Sequence, residues 1–226
     1  MFSDNVRPDP EAEGKEIMTE AIGLKAAWTL VLDQGKPTVR NDAVVVVEGE
    51  RIAGVMSSND PKPSRIVDLG QSLLMPGLIN GHSHCVSGPL FRGVMEDRNY
   101  SSQGEIIEAV MIPLGETVTE LCQEDDIRKI AALGQLEILK AGATTIIDMP
   151  RAGHLGFGLA AREIGLRAYA SPFLASPRGA SWQWEDGADS TVDRVMQTFH
   201  RWHERFDEGA GGRVRVGLGP LAPDHC

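Results

Sequence analysis

The chain has 226 residues, a formal charge of −10 at pH 7, 42% hydrophobic residues and 24% charged residues. That composition is ordinary for a globular protein of one or two domains, and the acidic balance argues against a nucleic-acid partner, which needs a basic face. No apolar run approaches the roughly 18 residues of a membrane span, and the polar start MFSDNVRPDPEAEGKE lacks a signal peptide's apolar block, so a cytoplasmic protein with no membrane partner is expected. Cys85, Cys122 and Cys226 are odd in number and widely spaced, the pattern of reduced thiols rather than of a disulfide frame.

Residues 1–18, with five acids, two bases and two prolines, predict a flexible acidic tail. Residues 19–76 read as short strands parted by turns: IGLKAAWTLVLD, then DAVVVVEGERIAGVMS, then RIVDLGQSLLMPG. In the second, Val44–Glu48 and Arg51–Val55 flank the turn Glu48-Gly49-Glu50-Arg51. Strands of this length and spacing predict a small β-sandwich segment.

After Pro76 the rhythm changes. GLINGHSHC predicts a strand, and EDDIRKIAALGQLEILKAGA predicts a helix. Its Ile127, Ile130, Ala131, Gly134 and Ile138 recur at helical spacing, and Gly142 stands where a helix stops. TTIIDMP is the next strand, followed by a short helix around Leu159–Ile164 and the strand LRAYASPFL. A helix from Ser190, a plausible N-cap, to Phe206 precedes the strand RVRVGLGP. Alternation of this kind predicts parallel βα units: four strands and three crossovers over 77–226.

His82 and His84 carry the chemistry. In a strand, residues i and i+2 share a face with Cα atoms roughly 6.5 Å apart, so two imidazoles converge on one ion at about 2.0–2.1 Å per Zn–N bond. The plainer alternative is two solvated loop histidines, which a bare His-x-His does not exclude. The surrounding order is more specific. LMPGLINGHSH, LFRGVMED (Leu90–Asp97), ILKAGATTIIDM (Ile138–Met149), AAREIGLRAYAS (Ala160–Ser171) and VRVGLGPLAPDHC (Val214–Cys226) resemble, in sequence and order, the amidohydrolase superfamily. The narrower likeness is to its cyclic-amidine deaminase and chlorohydrolase branch, which holds the triazine hydrolases and the adenosine-analogue, guanine and cytosine deaminases.

The resemblance implies an α/β fold, the N-terminal half of a (β/α)8 TIM-type barrel preceded by the β-sandwich segment. It implies one divalent metal, zinc or iron, with His82 and His84 as two of its ligands. A histidine after strand 5 and an aspartate after strand 8 would complete the set, and neither has a counterpart here. The activity implied is hydrolytic deamination of a cyclic amidine or heteroaromatic ring by a metal-bound hydroxide, in a cytoplasmic homo-oligomer. Carbon–halogen or cyclic-amide hydrolysis is the neighbouring alternative, and a catalytically inactive fragment is the other. Where relatives read Pro-His-Ala-Pro-Tyr, this chain has Pro220-Leu221-Ala222-Pro223-Asp224, which argues against carrying over a nucleoside substrate.

Other residues have two readings each. His154, in the loop after the second barrel strand, either contacts substrate or is a loop histidine in water. Glu116 adjoins Gly115, where relatives often carry a substrate-facing Glu. Asp148 either reaches the site or hydrogen-bonds a turn, the latter being the simpler role. Arg92 is expected to grip a loop carbonyl or a carboxylate. His200 and His203, on an outer helix, read as structural, Trp182 and Trp184 as loop packing, and Cys85 as pointing away from the metal.

Overall fold

A computed structural model describes residues 20–57, 59–92, 94–95, 102–149, 154–171, 173–174, 192–206 and 209–220. The chain forms two compact units that divide between Pro76 and Gly77. The predicted acidic tail, Trp182, Trp184, Ser190, Cys226 and the stretch 221–224 lie outside the described residues.

The first unit is all β: β1 (Ile22–Lys25), β2 (Trp28–Asp33), β3 (Lys36–Asn41), β4 (Val44–Glu48), β5 (Arg51–Met56), β6 (Arg65–Asp68) and β7 (Leu73–Leu74). They form a four-stranded sheet in the order β5-β4-β1-β6 and a three-stranded sheet in the order β3-β2-β7. The valine run explains the centre of the first sheet: Val44, Val45 and Val46 are all buried, as a continuous apolar run between two neighbours requires.

The structure adds a strand that the sequence reading passed over. IGLKAAWTLVLD divides into β1 and β2, and β2 turns back into β3 through Gln34 (φ 49°) and Gly35 (φ 79°). Positive φ at both central residues is the two-residue hairpin turn that Asn-Gly usually signals. Gln-Gly is a weaker form of that signal. Pro37 also argues against a strand, and β3 tolerates it because it lies at the sheet edge.

The second unit carries β8 (Leu78–Ser83), β9 (Ala143–Asp148), β10 (Arg167–Ala170) and β12 (Val214–Val216) as one parallel sheet in the order β12-β10-β9-β8. A short pair, β11 (Phe173–Leu174) and β13 (Gly219–Pro220), lies beyond the ends of β10 and β12. Between β8 and β9 run α1 (Ser87–Phe91), α2 (Gln103–Ile106), a π-helical turn (Ile107–Met111), α3 (Ile112–Leu121) and α4 (Glu124–Lys140). α5 (His154–Ile164) joins β9 to β10, while α6 (Val192–Phe206) and α7 (Gly209–Gly212) precede β12.

α4 forms for reasons legible in its ends. The Gln123 side chain and the Asp126 carboxylate cap it reciprocally, acids fill its first turn, Lys140 closes it, and Gly142 leaves it at φ 95°. Its Ile127, Ala131 and Gly134 are buried against a core that includes Ile146, Phe157, Ala160, Ala168, Phe206 and Val214. Surface ion pairs run from Arg128 to Asp125 and to Glu163 on α5, and from Arg205 on α6 to Glu124. Such exposed pairs contribute about 0–1 kcal/mol each, so packing holds these helices.

One face of the parallel sheet is covered by helices and the other is open. Along β9 and β10, Ile146, Ala168 and Ala170 are buried while Ile147 is 39% exposed and Tyr169 47% exposed; Ile79 on β8 is 71% exposed. Alternation explains the two faces.

Gly134 has a positional reason: a Cβ there would overlap the carbonyl of Cys85. Gly134→Ala is expected to destabilise the unit by about 1–3 kcal/mol, the cost of overpacking a filled core, read as a lower urea midpoint. The open apolar face generates a second expectation. The isolated 226-residue chain should bind the dye ANS and scatter light as a species heavier than 24.5 kDa.

Candidate metal centre

β8 places the two histidines at its C-terminal end, with a departure from the regular strand expected. The strand stops at Ser83, so His82 lies inside it and His84 one residue beyond. Between Asn80↔Ile146 and Ser83↔Asp148 the β8–β9 register slips by one residue, a bulge that sets Gly81 and His82 against a single partner position. The Asn80 side chain accepts the His82 amide at 3.1 Å, supplying a partner at the irregularity. Strict i, i+2 geometry therefore does not place these rings. They nonetheless come together, with centroids 4.9 Å apart and planes at 88°.

The end of β9 holds the second histidine. The Nδ1 of His84 lies 3.0 Å from the Met149 carbonyl oxygen. A carbonyl only accepts, so Nδ1 is the donor, and in the neutral ring the lone pair falls to Nε2. Beside it, Asp148 is fully buried. Its Oδ2 accepts two hydrogen bonds of 2.7 Å, from Ser83 Oγ and from the Cys85 amide. Burial pushes the Asp148 carboxyl above the usual carboxylate range, while the Cys85 and Ser83 bonds and the nearby His84 pull the other way. Asp148 thus has the turn-bonding role read as the simpler one, and it also adjoins the histidine pair.

Cys85 is buried in the core, and its Sγ approaches Ser83 Oγ at 3.7 Å. Burial first, and the Asp148 charge second, push its thiol well above the ordinary range. A group so held is a protonated thiol at neutral pH, not a thiolate ligand. Arg92 grips a carboxylate as expected, donating to both oxygens of Glu137 on α4 at 2.6 and 2.9 Å. His203 is exposed, with its ring 5.7 Å from that of Phe199 on the same helix, and His200 is exposed as well.

The remaining candidates are not brought to the pair by any described contact. His154 is the first residue of α5 rather than part of a preceding loop, because that helix begins five residues earlier than the predicted Leu159 start. Glu116 lies within α3. The side chains of both lie outside the described residues. Asn80, Ser83 and Met149 were not singled out from sequence. Only Asn80 carried a local signal, an Asn-Gly ahead of the motif.

Two imidazoles of opposed tilt at one strand end, one with its tautomer set by a carbonyl, suit a borderline-soft divalent ion such as zinc. Among the described residues no group of three or more His, Cys, Asp and Glu side chains is placed to hold an ion. The pair therefore fits part of a ligand set.

The amidohydrolase family profile matches residues 73–226. The chain belongs to the amidohydrolase family. Its relatives include a 5-methylthioadenosine/S-adenosylhomocysteine deaminase of Symbiobacterium thermophilum, 30% identical over 196 residues, covering 85% of this chain and 41% of the relative. A 5'-deoxyadenosine deaminase of Methanosarcina barkeri is 26% identical and covers 91% and 43% of the two chains. Among solved structures, the zinc-complexed atrazine chlorohydrolase of Arthrobacter aurescens superposes at a TM-score of 0.74 and 25% identity, over 90% of this chain and 47% of that one. This amidohydrolase chain spans under half the length of each of these relatives. Among the described residues, no helix is long and apolar enough to cross a membrane.

Cys85 and Cys122 differ in access, the first buried and the second half-buried. Iodoacetamide is expected to label Cys122 well ahead of Cys85 in the folded chain, with labelling at Cys85 staying flat from about pH 7 to about pH 9 because its thiol remains protonated there. Peptide mass mapping reads both rates.

Proposed function

We propose that this chain carries part of the active site of a metal-dependent hydrolase acting on non-peptide carbon–nitrogen bonds, and that the reaction is deamination of a small heteroaromatic or cyclic-amidine ring. His82 and His84 would hold one divalent ion, zinc or iron. When bound, such an ion lowers the pKa of water from about 15.7 toward about 7, which makes a nucleophile at neutral pH. The observation that carries the reading is the ring pair: 4.9 Å apart at a strand end, with His84 Nδ1 engaged by Met149 O. Met149 orients the ring and leaves Nε2 as its donor atom, Asn80 braces the backbone of His82, and Asp148 ties the intervening segment to β9.

The same reading makes the four parallel strands the first half of a (β/α)8 barrel, whose inner face would be the open face of this sheet. A complete barrel takes about 250 residues. The preceding sheets would form the small sandwich segment, behind a flexible tail at 1–18. His154 and Glu116 would approach substrate from the loop side. The whole enzyme would be a cytoplasmic homo-oligomer with no nucleic-acid or membrane partner. The names of the deaminase relatives favour an adenosine-like ring, whereas Leu221 and Asp224 argue for a different heterocycle.

A second reading, an inactive fragment that binds metal weakly, is favoured by the absence of a third ligand among the described residues. Both readings meet in one experiment. The purified chain is titrated with zinc, its metal content is measured, and ammonia or chloride release is followed from 5'-deoxyadenosine, S-adenosylhomocysteine and atrazine. Zinc should bind weakly and be lost when His82 and His84 are both replaced by Ala. Turnover should appear only when polypeptide supplying the missing ligands is added. Equal zinc content in wild type and the double variant would remove the metal assignment. Turnover by the 226-residue chain as a monomer would show that a complete site lies within it.

A further inference from the structure

We infer that Asp148 is a positioning residue for His84, holding the imidazole for the ion that the histidine pair is proposed to bind; the inference rests on that metal reading. Oδ2 of Asp148 accepts from Ser83 Oγ and from the Cys85 amide, each at 2.7 Å, so one oxygen grips the residues on both sides of His84. The adjoining residue, Met149, takes the ring itself through Nδ1 at 3.0 Å. On the other side, the Cys85 carbonyl lies against Gly134 of α4, where even a methyl group would overlap it. The segment around His84 is therefore held at the Cys85 amide, packed at the Cys85 carbonyl and bonded at the His84 ring.

Ordinary strand pairing does not provide this. The β8–β9 register has already slipped between Asn80 and Ser83, and β8 ends at Ser83. There the Asp148 carboxylate reinforces the last backbone bond between the two strands, from the Met149 amide to the Ser83 carbonyl at 3.3 Å, and is the group that reaches on to the Cys85 amide. Oδ2 alone makes the link. Oδ1 is buried and, among the described residues, has no hydrogen-bond partner. A neutral acceptor of the same shape would serve equally, and that separates positioning from bulk stability. Partners of this kind, set behind a metal-ligating histidine, typically change metal affinity by 10–100-fold when lost.

The test uses the whole 226-residue chain, labelled with 15N. Long-range 1H–15N spectra report the ring tautomer of each histidine without any metal, and zinc titration then reports affinity per folded molecule. Wild type should show His84 as the Nδ1–H form. Asp148→Ala should mix the His84 tautomers and weaken zinc binding about 10–100-fold, with the His82 signals little changed. Asp148→Asn, whose amide oxygen accepts both bonds, should restore both readouts. Should Asp148→Ala fail to fold, Ser83→Ala removes one of the two bonds and should show the smaller shift in each. Wild-type tautomer and affinity in the folded Asp148→Ala or Ser83→Ala chain would overturn the inference, leaving Asp148 a structural brace. A wild-type chain that takes no zinc would overturn the metal reading, and the tautomer comparison would then decide the positioning role by itself.

Discussion

Five hydrogen bonds join the tripeptide Ser83-His84-Cys85 to the end of β9 and the residue after it: two of 2.7 Å to the Asp148 carboxylate, one of 3.0 Å between His84 and the Met149 carbonyl, and two of 3.3 Å, from Ser83 Oγ to the Ile147 carbonyl and from the Met149 amide to the Ser83 carbonyl. Much of the second unit is arranged around them. The parallel ladder between β8 and β9 shifts register at the bulge and resumes only at Ser83↔Asp148, where the strand ends. The buried Asp148 carboxylate extends that hold by one more residue pair, to the Cys85 amide. Once Cys85 is held there, its carbonyl faces α4, and only a residue without a side chain at position 134 lets that helix come close. The helix then buries Ile127 and Ala131 in the core that covers one face of the sheet. A local bond at a strand end thus decides how near a 17-residue helix can pack.

How much of this was legible in the sequence depends on the range of the interaction. The four parallel strands and α4 follow from short-range patterns: the apolar lead-in of LLMPGLIN, the 3.6-residue spacing from Ile127, and Gly142 at the helix stop. The hairpin through Gln34 and Gly35 was missed because its turn chemistry is a weak form of Asn-Gly and because Pro37 argues against a strand. α5 was drawn too short, since Gly156 and Gly158 weaken its first turns locally while packing against α4 and Phe206 requires them to be small. Within the site, the histidine pair stood out by type and spacing. Ser83 and Met149 did not, because a hydroxyl and a backbone carbonyl carry no sequence signal for a partner about 65 residues away.

The sheet presents two different problems to the chain. On the helix-covered face the small side chains of Ala168 and Ala170 let α5 lie close to β10, α6 packs on β12, and Phe157 and Phe206 are buried in the same core. On the other face Ile79 stands in the open and Ile147 and Tyr169 are partly exposed, and the area they leave uncovered contributes nothing to stability until something covers it. Burying such side chains is worth roughly 1.5–3 kcal/mol each. The helix-covered face therefore supplies the stability of this unit, while the open face holds stability still to be gained by association.

That asymmetry bears on the proposed metal pair. The orientation of His84 depends on groups in β8, β9 and α4, all within the second unit and all on short lever arms from the ring. Affinity would depend on how many donors meet the ion, and among the described residues the pair offers two. Under the proposed reading the two properties are separable: the chain sets the direction and tautomer of its donors by internal hydrogen bonds, and further donors raise the affinity without re-aiming them. On that reading, orientation fixed in advance would lower the ordering cost at the moment of binding, and a bulge, a buried carboxylate with an orphan oxygen and a methyl-excluding contact all lie around one short tripeptide to fix it.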